Sequence, residues 1–123
     1  MYAVEIDEPR NLLVIRYRGR VGPDETERAV EEIGAALAKL RRGFRLLADL
    51  TELESMEVAC APHIEKAMDL CNEKGASVVV RVIPDPTRDI GLQIMSVFHY
   101  DGRVRIATCT TLGEAEEILC AEP

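Results

Sequence analysis

The spacing of apolar residues alternates along this chain between short continuous runs, which read as strands, and recurrences every three or four positions, which read as amphipathic helices. Val4 and Ile6, then the apolar residues of 12–17, predict two strands. The polar link Asp7-Glu8-Pro9-Arg10-Asn11 between them suits an antiparallel hairpin. Gly19-Arg20-Val21-Gly22 leads out of the second strand. Pro23 fits the first position of a helix, where its missing N–H has no intrahelical partner to lose, and Asp24 and Glu25 follow beside the positive dipole end. Val30, Ile33, Leu37 and Leu40 form one stripe of that helix, expected to end at Gly43.

Residues 46–50 are mostly apolar, as a strand covered on both faces should be. A polar turn follows, and then Cys60, Ile64, Ala67, Met68 and Cys71 mark one face of a second helix that stops at Gly75. Pro62 would remove an interior hydrogen bond if this helix began at Ser55, which places a loose turn at 56–60 and regular helix from about residue 61. Residues 77–83 give the strongest strand signal, with Val78-Val79-Val80 and Val82-Ile83 apolar on both faces. Pro84-Asp85-Pro86 ends it, with Asp85 as N-cap of a third helix bearing Ile90, Ile94, Val97 and Phe98. Asp101-Gly102 is a turn and 104–109 the last strand. Thr111 with Glu114 is a capping-box pattern for a closing helix bearing Leu112, Ala115, Ile118 and Leu119.

The order β-β-α-β-α-β-α-β-α predicts an α/β fold within one domain over residues 1–123. Five strands should form a mixed sheet with helices on both faces and the first strand as an antiparallel edge. The strands from residue 11 onward should be parallel, with right-handed crossovers.

Composition removes several function classes. A formal net charge of −7 argues against a nucleic-acid backbone or an anionic membrane surface as partner. No apolar run approaches the ~20 residues of a membrane span, and the N-terminus has no signal-peptide pattern, so the expected compartment is the cytoplasm. Lys39, Arg41 and Arg42, the densest basic group, are expected at a helix C-terminus, complementing its dipole. Cys60 and Cys71 on one helix would lie ~16 Å apart at 1.5 Å per residue. That exceeds the ~7 Å a disulfide allows. The cysteines, with Cys109 and Cys120, read as reduced thiols of the core.

The strand-to-helix junction after residue 50 is where an α/β protein displays working groups. It has no glycine-rich phosphate cradle, no Gly-x-Ser-x-Gly elbow and no lysine. Cys60 and His63, with Glu57, offer three metal-capable groups where a structural site wants four. Cys60 as a helix-terminal nucleophile, with His63 or His99 as base, is a weaker reading than a buried thiol. His99-Tyr100-Asp101-Gly102-Arg103 reads as a connecting loop. No catalytic residue, metal or cofactor is assigned.

The pattern resembles the STAS domain, the fold shared by anti-sigma-factor antagonists and the cytoplasmic tails of sulfate transporters. Leu13-Val14-Ile15-Arg16-Tyr17-Arg18-Gly19-Arg20-Val21 is similar to the family's second strand and its following glycine. Leu46-Leu47-Ala48-Asp49-Leu50-Thr51-Glu52-Leu53 is similar to its central strand, which typically ends in Asp-Leu-Ser. Gly75-Ala76-Ser77-Val78-Val79-Val80 and Thr111-Leu112-Gly113-Glu114-Ala115 match the fourth strand and the start of the last helix. In the antagonists, the turn after the central strand carries Asp-Ser-x-Gly, whose serine a partner kinase phosphorylates. Those positions hold Glu57, Val58, Ala59 and Cys60 here, so the phosphorylatable serine is replaced by Val58. Ser55 falls three residues early, and the family's acidic residue after the second strand falls on Gly22, with Asp24 two residues later.

The resemblance implies a non-catalytic regulatory or protein-interaction module with the phospho-switch lost. Its partner would be a regulatory protein of anti-sigma-factor or kinase kind, and a homodimer is left open. The implied contact residues are Gly22, Asp24, Ser55, Glu57, Val58, Ala59 and Cys60. The alternative is a carrier or sensor of a lipid- or nucleotide-like ligand on the same fold, with Met56, Met68 and Met95 lining a pocket between sheet and helix.

Overall fold

The computed structural model describes residues 1–83 and 104–121. Its elements run β1 (Tyr2–Asp7), β2 (Leu12–Tyr17), β3 (Gly19–Val21), α1 (Pro23–Leu37), β4 (Arg45–Asp49) and β5 (Leu53–Met56). A 3-10 turn (Val58–Cys60), α2 (Ala61–Lys74), β6 (Val78–Val82), β7 (Arg105–Cys109) and α3 (Leu112–Ala121) complete them. The helix expected from Pro86 and the loop at 99–103 lie outside the described residues.

Five strands form one sheet in the order β1-β2-β4-β6-β7. β1 pairs antiparallel with β2, from Tyr2↔Tyr17 to Asp7↔Leu12, as the short polar link dictates. The other neighbours pair in parallel. Successive residues of a strand face opposite sides, so β2 splits its apolar run between two cores. Leu13, Ile15 and Tyr17 pack under α1 and α2 with Ile33, Phe44 and Ile64. Leu12 and Val14 pack with Leu47, Val80, Ala115 and Leu119 under α3. The mixed sheet, its antiparallel edge and its helices on both faces are those read from the sequence.

Three local features differ from that reading. The first helix ends at Leu37 rather than Gly43. Lys39 and Leu40 donate to Ala36 and Leu37 through tight i→i+3 bonds of 3.0 and 3.1 Å, and this turn still buries Leu40. Lys39, Arg41 and Arg42 therefore follow the helix instead of closing it. Arg42 reaches the C-terminus of α2, where Nη2 donates to the Glu73 carbonyl at 3.4 Å. Second, residues 19–21 and 53–56 are a small parallel sheet of two strands, not an exit loop and a polar turn. Third, Leu112 stands exposed at the start of α3. The Thr111 hydroxyl accepts from the Glu114 N–H at 3.1 Å, as an N-cap should.

Candidate interaction surface

The carboxyl end of β4 is fixed by Asp49, which is almost fully buried. One carboxylate oxygen accepts from the Thr51 N–H at 3.0 Å and from its hydroxyl at 2.7 Å, turning the chain. The other accepts from Arg16 Nε at 3.1 Å, and Arg16 also pairs with Glu5 at 2.8 Å.

Beyond this turn, β5 must bury both Leu53 and Met56, which pack against the main core. Residues three apart cannot share a face in a strand of period two. A bulge absorbs the difference: Gly19 pairs with Leu53, but Arg20 pairs with Ser55 and Val21 with Met56. Val21 is buried, and Arg20 and Ser55 project outward together.

Val21 then anchors the following turn. Its carbonyl accepts from the Glu57 N–H at 3.2 Å and from the Cys60 thiol at 3.6 Å. Gly22 follows β3 and is the N-cap of α1 without a side-chain cap. A Cβ on Gly22 would stand 2.8 Å from Glu57 Oε2, so glycine lets the Glu57 side chain lie across the start of α1. The two segments nominated by the sequence are thus brought side by side.

Their residues do not play equal parts. Val58 is 89% exposed at the crest of the 3-10 turn. Ser55, Glu57, Ala59 and Asp24 are exposed around it, and Gly22 is half-buried. Cys60 is fully buried, so it supports the turn from beneath and presents no surface to a partner. His63 is half-buried, and no group of three metal-capable side chains converges among the described residues. Arg20 and Glu54, within the segments 19–25 and 54–61 that the sequence marks as the contact surface, are exposed beside it.

Behind the surface lies an apolar cavity of ≈ 70 Å³, lined by Ile15, Tyr17, Met56, Ile64, Met68 and Arg81 among others. Met56 and Met68 are there as anticipated, and Met95 lies outside the described residues. Arg81 is buried in a strand that the sequence presents as apolar, with Nη2 donating to the Thr108 hydroxyl at 3.2 Å. Burial holds the Tyr17 phenol well above its ordinary range, with nearby Cys60 and Cys71 adding to the effect.

Comparison with solved structures decides what this architecture is. A protein of the DUF3478 family with a SpoIIAA-like fold, from Shewanella loihica PV-4, superposes with a TM-score of 0.73 at 18% identity, over 97% of this chain and 94% of that one. The fold is STAS-like. The anti-sigma factor antagonist SpoIIAA in its unphosphorylated form matches at a TM-score of 0.69 and 15% identity, over 99% of this chain and 100% of that one. An anti-sigma factor antagonist from Mycobacterium paratuberculosis matches at 0.62 and 16%, over 98% and 95%. No protein-family model matches the chain, and no curated protein matches it. No helix among the described residues is long and apolar enough to cross a membrane.

Proposed function

We propose that this chain is a non-catalytic regulatory module that binds a protein partner through the surface formed by Asp24, Ser55, Glu57, Val58 and Ala59. The partner class is a regulatory protein of anti-sigma-factor or kinase kind, as the STAS-like fold suggests. One observation carries the reading: Val58 is 89% exposed on a turn that the buried Cys60 and the Val21 carbonyl hold in place. An apolar side chain held out on a fixed turn gains free energy when a partner covers it. Valine has no hydroxyl, so contact through residue 58 is constitutive and is not gated by phosphorylation there.

The carrier reading ranks second. Ligand pockets usually offer roughly 300 Å³ or more. The cavity behind Met56 and Met68 holds ≈ 70 Å³, too little for a lipid tail or a nucleotide in this conformation.

Val58→Asp tests the proposal. A buried charge in an apolar contact is costly, so affinity for a partner captured from the native cells should fall at least about tenfold. The melting curve should stay put, because the side chain contributes little to the core. Unchanged affinity with an unchanged melting curve would show that this turn is not the contact.

A further inference from the structure

β1 stands at the end of the sheet, with β2 on one side. The Met1 ammonium donates to the Arg18 carbonyl at 2.9 Å, and the Met1 carbonyl accepts from the Arg18 N–H at 2.8 Å. Pairs that exchange both bonds alternate along an antiparallel ladder, so the next ones in this register are Ala3↔Arg16, Glu5↔Val14 and Asp7↔Leu12. The N–H and C=O groups of Tyr2, Val4 and Ile6 therefore point away from β2, and no backbone bond reaches them among the described residues. Such an edge is a template for one more strand. Its two faces differ. Tyr2, Val4 and Ile6 pack their side chains against the main core. On the other side, Glu5 and Asp7 line a groove of ≈ 530 Å³ together with Glu8 and Glu116, over a floor that includes Leu12 and Val14. Four carboxylates there meet two guanidinium groups, and both are committed: Arg10 to Glu116 at 2.9 Å, Arg16 to Glu5 and Asp49. Asp7 and Glu8 belong to no ion pair among the described residues.

We propose that the free edge of β1 docks an extended segment of another protein in which apolar residues alternate with lysine or arginine. The segment lies ~4.8 Å from β1, the ordinary spacing of paired strands. It exchanges backbone bonds with Tyr2, Val4 and Ile6. Its apolar side chains continue the row of those three residues. Its basic side chains enter the groove, where their methylene stems lie over Leu12 and Val14 and their charges meet Asp7 and Glu8. A second copy of this chain fits less well. Paired through the same strand about Val4, it sets its own Glu5 and Asp7 on the same side of the sheet, and each copy carries a formal charge of −7. Like charges brought together in this way oppose association. The site belongs to the sheet edge and does not rest on the reading of the Val58 turn.

The test titrates the full chain at low ionic strength with a capped peptide of three Val-Lys repeats, and follows chemical shifts and amide exchange by NMR. At saturation the Val4 and Ile6 amides should exchange at least about tenfold more slowly. A peptide with glutamate in place of lysine should bind at least about tenfold more weakly, because exposed ion pairs are replaced by repulsion. Methylating the valine nitrogens removes the N–H groups aimed at β1 and should weaken binding at least about tenfold as well. Unslowed exchange at Val4 and Ile6 with the lysine peptide in large excess overturns the docking site. Equal binding of the methylated peptide reduces the contact to charge adhesion and overturns the strand pairing. Equal binding of the glutamate peptide overturns the charge preference. Protection of the same amides that grows with protein concentration before any peptide is added assigns the edge to a second copy of the chain, which also overturns the proposal.

Discussion

Asp49 is the residue on which the surface turns. Its two carboxylate oxygens answer different needs: one shapes the turn through Thr51, and the other holds Arg16 on the adjacent strand. Asp49→Ala should destabilise the fold by about 2 kcal/mol in urea unfolding, the value of charge-assisted bonds lost from a largely buried acceptor. The loss should sit toward the low end of what breaking a buried ion pair entails, because Arg16 keeps Glu5 and remains partly in water. Asp49→Asn should lose less, since an amide oxygen still accepts from Thr51. Equal stability of all three chains would show that the turn is held by other contacts. The sequence exposed Asp49 as the end of a buried strand. It could not expose Arg16 as its partner, because the two are 33 positions apart and meet only through the β2–β4 register.

At the scale of elements, the two helix ends behave differently for a reason visible at Gly75. Its φ of 93° lies in the left-handed region, and its N–H donates to the Cys71 and Asn72 carbonyls at 3.1 and 3.0 Å, closing α2. A Cβ there would also stand 2.7 Å from Arg42 Cγ. Gly75→Ala should destabilise the protein by about 1–2 kcal/mol from backbone strain alone, with the contact to Arg42 adding to it. Arg42→Ala in the same chain should relieve the steric part and leave the strain, so urea unfolding of the double variant should recover only part of the loss. Full recovery would show that the backbone accommodates alanine without cost. This end was legible because glycine is the residue that such a cap favours. The end of α1 was not, because Leu40 keeps the helical spacing while its burial comes from a turn. β5 was hidden by the same ambiguity: Leu53 and Met56 are three apart, and only the bulge lets both face the core.

The whole molecule sets the alkaline limit of its own stability through Tyr17, whose phenol is buried beneath α1 and α2. Desolvation raises its folded-state pKa above the unfolded value near 10. Below that pH the phenol is protonated in both states and its contribution is fully present. Above it, the unfolded chain releases the proton while the folded chain retains it. The unfolded state then binds fewer protons, and stability falls as pH rises, by at most about 1.4 kcal/mol per pH unit. Tyr17→Phe removes this dependence. Its unfolding free energy should run parallel to that of the wild type at neutral pH and gain on it from about pH 10 upward. Curves that stay parallel throughout would mean that the folded phenol ionises as freely as an unfolded one.

By itself, the sequence determined the sheet and its helical covers, because each strand and helix writes its own period into neighbouring residues and punctuates it with glycine, proline or a capping threonine. Those signals are local, and the β2, β4 and β6 runs are apolar enough to place them in a parallel centre beside a hairpin edge. The surface was determined differently. That Val58 stands in water while Cys60 lies buried beneath it depends on the Val21 carbonyl, which is supplied by a segment more than thirty positions earlier. That Arg20 faces Ser55 rather than Glu54 depends on one skipped register position between strands that are equally distant in sequence. Tertiary pairing alone decides such choices, because a shift of one residue moves a side chain to the other face while the chain's own periodicity stays the same.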